Sequence, residues 1–197
     1  DLDFLNLVKL KTMALTESSM MAIGTTAPEF TLPDTVSGKR LSLDELKSDV
    51  ATVVMFICNH CKYVKYINPE LVEIANKFIP KGVSFIGVSS NDINSHPEDA
   101  PTEMTKVAKS LGYDFPYLYD ETQEVAQAYE AACTPDFYVF DKKMKLVYRG
   151  RMDDSSPGND VNLTGNDLRG ALRALVAGDF VSEIQYPSMG CNIKWKA

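Results

Sequence analysis

Along this chain, short unbroken apolar runs alternate with longer stretches in which an apolar residue recurs every third or fourth position. Residues 52–57, Thr-Val-Val-Met-Phe-Ile, are almost all β-branched or aromatic and predict a strand buried on both faces of a sheet. Val64, Ile67, Leu71, Ile74, Ala75 and Phe78 follow at helical spacing, with Lys62, Lys65, Glu70, Glu73 and Lys77 between them, so the next element is a helix with one apolar stripe. Residues 82–88 repeat the strand pattern. Over 102–111, Met104, Val107, Ala108 and Leu111 share a helical face that stops at Gly112, where glycine favours the position just past a helix. Residues 115–119 predict a short strand. Asp120 and Gln123 resemble a capping box for a helix to about Ala132, with Val125, Ala126 and Tyr129 inward. Residues 136–140 and 145–148 predict a hairpin turned through 141–144. Leu168, Leu172, Leu175 and Val176 mark the inner face of a last helix ending at Gly178. Upstream, 28–43 predict two short strands around the turn 34–39, then a short helix near 44–47. In the tail, Cys191, Ile193 and Trp195 alternate onto one face, as in an extended segment packed on the body. The order is β-α-β, an inserted α and β, then α-β-β-α, an α/β class.

Length and charge bound the picture. At 197 residues the chain suits one domain, placed at 22–197 with its tail included. Residues 1–21, with Leu2, Leu5 and Val8 on a weakly amphipathic piece and then Met13, Met20 and Met21, read as an extension outside the fold or an added leader. A net charge of −7 argues against nucleic acid or an anionic membrane as partner. No apolar run approaches the ~18 residues of a membrane span. Four cysteines do not make a disulfide scaffold, so a reducing cytoplasm is the expected compartment; a chain that begins at Asp1 leaves a removed export signal open.

The candidate chemistry lies between the first buried strand and its helix, at Cys58-Asn59-His60-Cys61. A cysteine at a strand end and helix N-terminus meets free backbone N–H groups and the positive end of the helix dipole, which favour its thiolate. Cys61, one turn on, can attack a disulfide made by Cys58 and resolve it within the protein. Half of a zinc site has the same spacing, but no second CxxC follows, Cys133 and Cys191 stand alone, and the other histidine is His96. No metal or other cofactor is called for. His60 is placed to stabilise the Cys58 thiolate and set the redox poise.

The dithiol, the later Thr134-Pro135 before a strand, and the opening 24–32 (Gly-Thr-Thr-Ala-Pro-Glu-Phe-Thr-Leu) together resemble the thioredoxin-like superfamily. The resemblance is to the branch of TlpA- and ResA-like thiol-disulfide oxidoreductases and AhpC/TSA peroxiredoxins, and it covers about residues 22–180. It implies a central mixed sheet flanked by helices, with an N-terminal β extension and an inserted α/β element. It also implies a cis Pro135 facing the dithiol, and a Thr134 backbone free to bind an extended substrate beside Cys58 and Asn59. The activity implied is exchange of a dithiol with a protein or small-molecule disulfide, served by a reductant the sequence does not name, in a monomer or weak dimer.

Departures qualify the resemblance. Thr52 stands where thioredoxins keep a buried acid, which leaves Asp136 or a water as the base for Cys61. Pro69 follows the second cysteine by eight residues where five is usual. Met55 and Ala51 replace the threonine and proline with which peroxiredoxins hold peroxide, which weakens a Cys58 peroxidase as the alternative; Arg149 and Arg151 read as solvated residues at a strand end. A copper or zinc carrier using Cys58, Cys61 and His60 is the third reading. Cys133, two residues before Pro135, is either a thiol that traps substrate or takes a disulfide onward, or a small buried hydrophobe. In the oxidised protein the expected bond is Cys58–Cys61, with Cys133 and a buried Cys191 as thiols. The loop 150–165 is long enough to be functional or a compact packed loop.

Overall fold

The computed structural model describes residues 15–197, so Leu2, Leu5, Val8 and Met13 lie outside the described residues. In chain order the elements are β1 (Leu15–Glu17), β2 (Thr31–Pro33), β3 (Arg40–Ser42), α1 (Leu43–Leu46), β4 (Ala51–Phe56), α2 (Lys62–Phe78), β5 (Val83–Ser89), α3 (Pro101–Leu111), β6 (Tyr117–Tyr119), α4 (Glu124–Ala128), β7 (Cys133–Thr134), β8 (Asp136–Asp141), β9 (Leu146–Gly150), α5 (Asn166–Ala177) and β10 (Met189–Asn192). Five strands form a mixed sheet in the order β6-β5-β4-β8-β9. β4, β5 and β6 are parallel, β8 runs antiparallel to β4, and β9 antiparallel to β8.

β4 is buried at all six positions because successive side chains feed opposite cores. Val53, Met55 and the following Ile57 pack with Val64, Leu71, Ile74 and Phe78 of α2 and with Leu168 and Leu172 of α5. Val54 and Phe56 pack with Phe30, Leu32, Leu43, Tyr129 and Tyr138 on the other face. Each such side chain contributes about 1.5–3 kcal/mol relative to exposure. Two cores gripping one strand fix the point at which the chain leaves it, which is where the dithiol begins.

Several local expectations are corrected. The capping box is at Ser42 and Glu45, opening α1. At 120–123 none forms: the Asp120 carboxylate accepts from the N–H groups of Val125 and Ala126, while Gln123 adopts a positive φ and donates to the carbonyls of Ser90 and Lys194. α4 is therefore short, ending at Ala128. Val176 and Trp195 are about two-fifths exposed, unlike Leu172 and Ile193, because α5 and the tail turn those edges to solvent. Residues 15–21 lie within the fold and not outside it. β1 pairs with β10, Ser18 donates to Asp136, and Met21 is buried. β10 in turn pairs with β7, giving a small antiparallel sheet in the order β1-β10-β7.

The loop 150–165 is compact. The Asp153 carboxylate accepts from the N–H groups of Ser155, Thr164 and Gly165 at 2.9, 2.6 and 2.6 Å. Gly165 has φ +65°, and a Cβ there would lie 2.5 Å from Ile74 Cδ1, so the loop closes onto α2 only with glycine at that point.

Candidate active site

Because β4 ends at Phe56 and α2 begins at Lys62, residues 57–61 form the connecting loop, and Cys61 is the N-cap residue of the helix. The loop is pinned from the opposite side by Asp99, in the 3-10 turn Pro97–Asp99. Asp99 Oδ1 accepts from the N–H groups of Asn59 and His60 at 2.7 and 3.1 Å. Asp99 Oδ2 lies 2.5 Å from His60 Nδ1 and accepts from Asn91 Nδ2 at 2.9 Å. Burial pushes this carboxyl up, but the bonds from His60 and Asn91 outweigh it, and it titrates below the ordinary carboxylate range. A fully buried anion therefore sits under the dithiol loop.

His60 Nδ1 is 3.7 Å from Cys58 Sγ as well, so one ring nitrogen faces both the carboxylate and the sulfur. Its ring lies against that of His96, tilted by 37° with centroids 4.4 Å apart. Cys58 Sγ is 3.4 Å from Thr134 Oγ1. The Thr134-Pro135 peptide is cis.

The charge on the dithiol differs from the expected pattern. Burial, then the neighbouring Cys61 and the Asp99 carboxylate, raise the Cys58 thiol well above the usual range. The thiols of Cys191 and Cys58, joined by the backbone amide of Val64, lower Cys61. The reason is positional: the helix begins at Lys62, and the loop amides that a Cys58 thiolate would use are taken by Asp99. When protonated, Cys61 instead faces the Thr134 carbonyl oxygen, 3.3 Å away.

Thr134 does not offer a free backbone edge. β10 pairs with β7 so that Cys191 lies opposite Thr134 and Asn192 opposite Cys133. The chain's own tail fills the place where an extended substrate was expected. A Cβ on Gly190 would lie 2.0 Å from the Thr134 carbonyl oxygen, so glycine is needed for this approach. It brings Cys191 Sγ to 2.9 Å from Cys61 Sγ. All four cysteines are free thiols.

The other expected site residues divide. Asn59 is held by the Glu98 carbonyl and the Tyr117 hydroxyl, which makes it a fastener of the loop. Cys133 is fully buried, its sulfur 3.9 Å from the carbonyl oxygens of Pro135 and Ser188 and turned to neither redox cysteine by any hydrogen bond. Asp136 is no base for Cys61; its carboxylate bonds Ser18, Tyr138 and Arg149. Arg149 is fully buried and stacks over Tyr138, so it is not a solvated strand-end residue, while Arg151 stays partly exposed and pairs with Asp167. Asp99 and Cys191 are the residues that sequence reasoning missed. The alternating tail pattern signalled burial of Cys191 but not its neighbour, and nothing local marked Asp99.

Pro135 lines a cleft of about 270 Å³, together with Tyr63, Tyr66 and Ile67 of α2, Met189 of β10 and the loop carrying Asp153 and Asn159. Potential ligand atoms of Cys58, His60 and Asp99 lie within 4.8 Å of one another. Both Asp99 oxygens are already engaged by the four donors named above, so a metal there would have to displace them. Among the described residues no helix is long and apolar enough to cross a membrane.

The sequence profile of the AhpC/TSA family matches residues 23–149, which include the dithiol and the cis-proline. The chain belongs to the AhpC/TSA family. A crystal structure of an uncharacterized conserved protein from Geobacillus kaustophilus is 56% identical to this AhpC/TSA chain, with a TM-score of 0.92, and the match covers 93% of this chain and 97% of that one. The thiol-disulfide oxidoreductase ResA of Bacillus subtilis is 27% identical over 142 residues, 71% of this chain and 74% of its own. The thioredoxin domain of a thiol-disulfide oxidoreductase from Bacteroides vulgatus shares the fold, at 22% identity and a TM-score of 0.56, over 66% of this chain and 89% of that one. The α/β class expected from the sequence is thus a thioredoxin-like fold.

Proposed function

We propose that this AhpC/TSA-family protein is a thiol-disulfide oxidoreductase in which Cys58 attacks a substrate disulfide and Cys61 resolves the mixed disulfide. The observation that carries it is the contiguity of the two thiols with Thr134 and the cis Pro135, under a loop that Asp99 holds through two backbone amides. The likeness to ResA supports the same chemistry.

Cys61, whose pKa its neighbours lower, is placed to take the proton from Cys58, whose pKa burial raises, and that transfer makes Cys58 the nucleophile. Cys58 bonds to one substrate sulfur, and the other leaves as a thiolate. Cys61 then attacks Cys58 and closes the protein disulfide; its proton goes to the departing thiolate, and the first thiolate takes its proton from solvent water, giving two substrate thiols. His60, hydrogen-bonded to Asp99, stands beside Cys58 and favours its negative charge during attack. A reductant of the dithiol class restores the protein. Cys58 is only 1% exposed, so its attack on a substrate disulfide requires a local displacement that uncovers the sulfur.

The decisive test is trapping. Cys61→Ala, incubated with a protein disulfide such as that of insulin, is expected to accumulate a mixed disulfide at Cys58, and Cys58→Ala to accumulate none. Equal trapping by both variants, or by neither, overturns the assignment.

A further inference from the structure

The mechanism above leaves one thiol unused at bonding range of the dithiol. Cys61 lies between two sulfurs: Cys58 on its own loop, and Cys191, 130 residues further along the chain, at 2.9 Å. A sulfur–sulfur bond is about 2.05 Å long, so closing one to Cys191 needs a shift of under about 1 Å. This contact is built by the fold. β10 is held between β1 and β7, its register sets Cys191 opposite Thr134, and Gly190 alone lets the strand come so close to the Thr134 carbonyl. The Asn91 side chain and the Ala132 carbonyl bind the next residues, Lys194 and Ile193, through their N–H groups. The tail thus occupies the strand position beside the cis-proline and presents a cysteine there. Cys133, equally buried, has no such contact.

We infer that Cys191 is a third redox cysteine, which takes the disulfide over from Cys58 by attacking Cys61. The inference rests on the oxidoreductase reading for the bond it starts from. Once Cys58–Cys61 has formed, the Cys191 sulfur gives up its proton and bonds to Cys61 Sγ. The Cys58–Cys61 bond breaks, and Cys58 leaves as a thiolate that takes up the proton. One disulfide is exchanged for another at the same oxidation level, so no oxidant or reductant is consumed. The outcome is functional. Cys58 is regenerated as a thiol beside His60 and Thr134 while the oxidising equivalent is stored on Cys61 and Cys191. In that state Cys61 can no longer resolve, and Cys58 works as a single thiol.

The test uses the full chain, equilibrated in glutathione buffers of stepped potential, acid-quenched, alkylated and mapped by peptide mass spectrometry. Wild type is expected to show both Cys58–Cys61 and Cys61–Cys191 peptides, in a ratio that stays constant as the potential changes, because the two bonds interconvert without electrons. Cys58→Ser is expected to form Cys61–Cys191 in at least tenfold excess over any bond to Cys133. Absence of the Cys61–Cys191 peptide from both proteins overturns the inference, as does its appearance only after denaturation. Cys191→Ser separates the two claims. If it still closes Cys58–Cys61 and exchanges with insulin while wild type lacks Cys61–Cys191, the inference fails and the oxidoreductase reading stands. If Cys61–Cys191 forms in wild type and Cys58→Ser, but neither wild type nor Cys191→Ser exchanges with insulin, the third thiol stands and the oxidoreductase reading fails.

Discussion

Asp99 and Asp136 are both fully buried carboxylates within the same fold, and they are held in opposite ways. Asp99 spreads four donors over its two oxygens, two of them backbone amides of the dithiol loop, and stays ionised below the ordinary range. Asp136 gathers Ser18, Tyr138 and Arg149 on Oδ2, while Oδ1 and two of the Arg149 nitrogens have no hydrogen-bond partner among the described residues. Burial dominates there despite the guanidinium, and the carboxyl is raised to about 6. The lesson is that a buried ion pair does not mark a reactive site. Asp99 reaches a sulfur through one imidazole; Asp136 reaches a guanidinium stacked on a tyrosine ring, and it serves packing between β1, β8 and β9.

The largest expected effect that separates the two is on stability. Arg149→Met leaves Asp136 buried without its cation and is expected to cost about 3–5 kcal/mol in urea unfolding, while disulfide exchange by the folded protein is unchanged. Loss of exchange in step with stability would merge the two regions. Asp99→Asn is expected to cost less, about 1–3 kcal/mol, since it weakens bonds to amides that stay buried. Unlike the first variant, it should slow insulin exchange by the folded protein; an unaltered rate would reduce Asp99 to a structural fastener.

pH sharpens the contrast, because the slopes have opposite signs. A lowered carboxyl such as Asp99 contributes stability above its unfolded pKa and loses it as pH falls through the folded value. A raised one such as Asp136 contributes fully below about 3.9 and loses that contribution as pH rises through about 6. In the oxidised protein, wild type should therefore gain on Asp99→Asn as pH climbs through the carboxylate range and lose ground to Asp136→Asn between roughly pH 4 and 6. Chemical denaturation across that range checks both; parallel slopes contradict the account.

The smallest effect concerns His60. His60→Phe keeps the backbone N–H that Asp99 binds, which a proline would remove, and takes away the imidazole beside Cys58. It is expected to lower the reduction potential by tens of millivolts, on the scale of about 1.4 kcal/mol per 30 mV. Equilibration with glutathione reads the shift, and an unmoved potential would uncouple His60 from the thiols.

Local pattern was enough for the framework. β4, α2, β5, α3 and the β8–β9 hairpin follow from periodicity, and the dithiol's place between β4 and α2 follows with them. What escaped was set by distant pairing. Asp99 is about forty residues from the amides it binds, and its sequence surroundings look like an ordinary polar loop. Arg149 at a strand end reads as solvated until Ser19, Glu130, Asp136 and Tyr138 converge on it. The helix N-terminus argument placed the thiolate on Cys58; the helix begins four residues later, and the stabilising donors for Cys61 come partly from the tail.

The most direct test of the central claim is a competition. The second-order rate of Cys58 oxidation by hydrogen peroxide in the reduced protein is measured beside its rate with the insulin disulfide. The account predicts that the disulfide reacts faster, with Cys58–Cys61 as its first product. A peroxide rate higher by orders of magnitude would contradict it and make the protein a peroxidase that works without the usual threonine and proline.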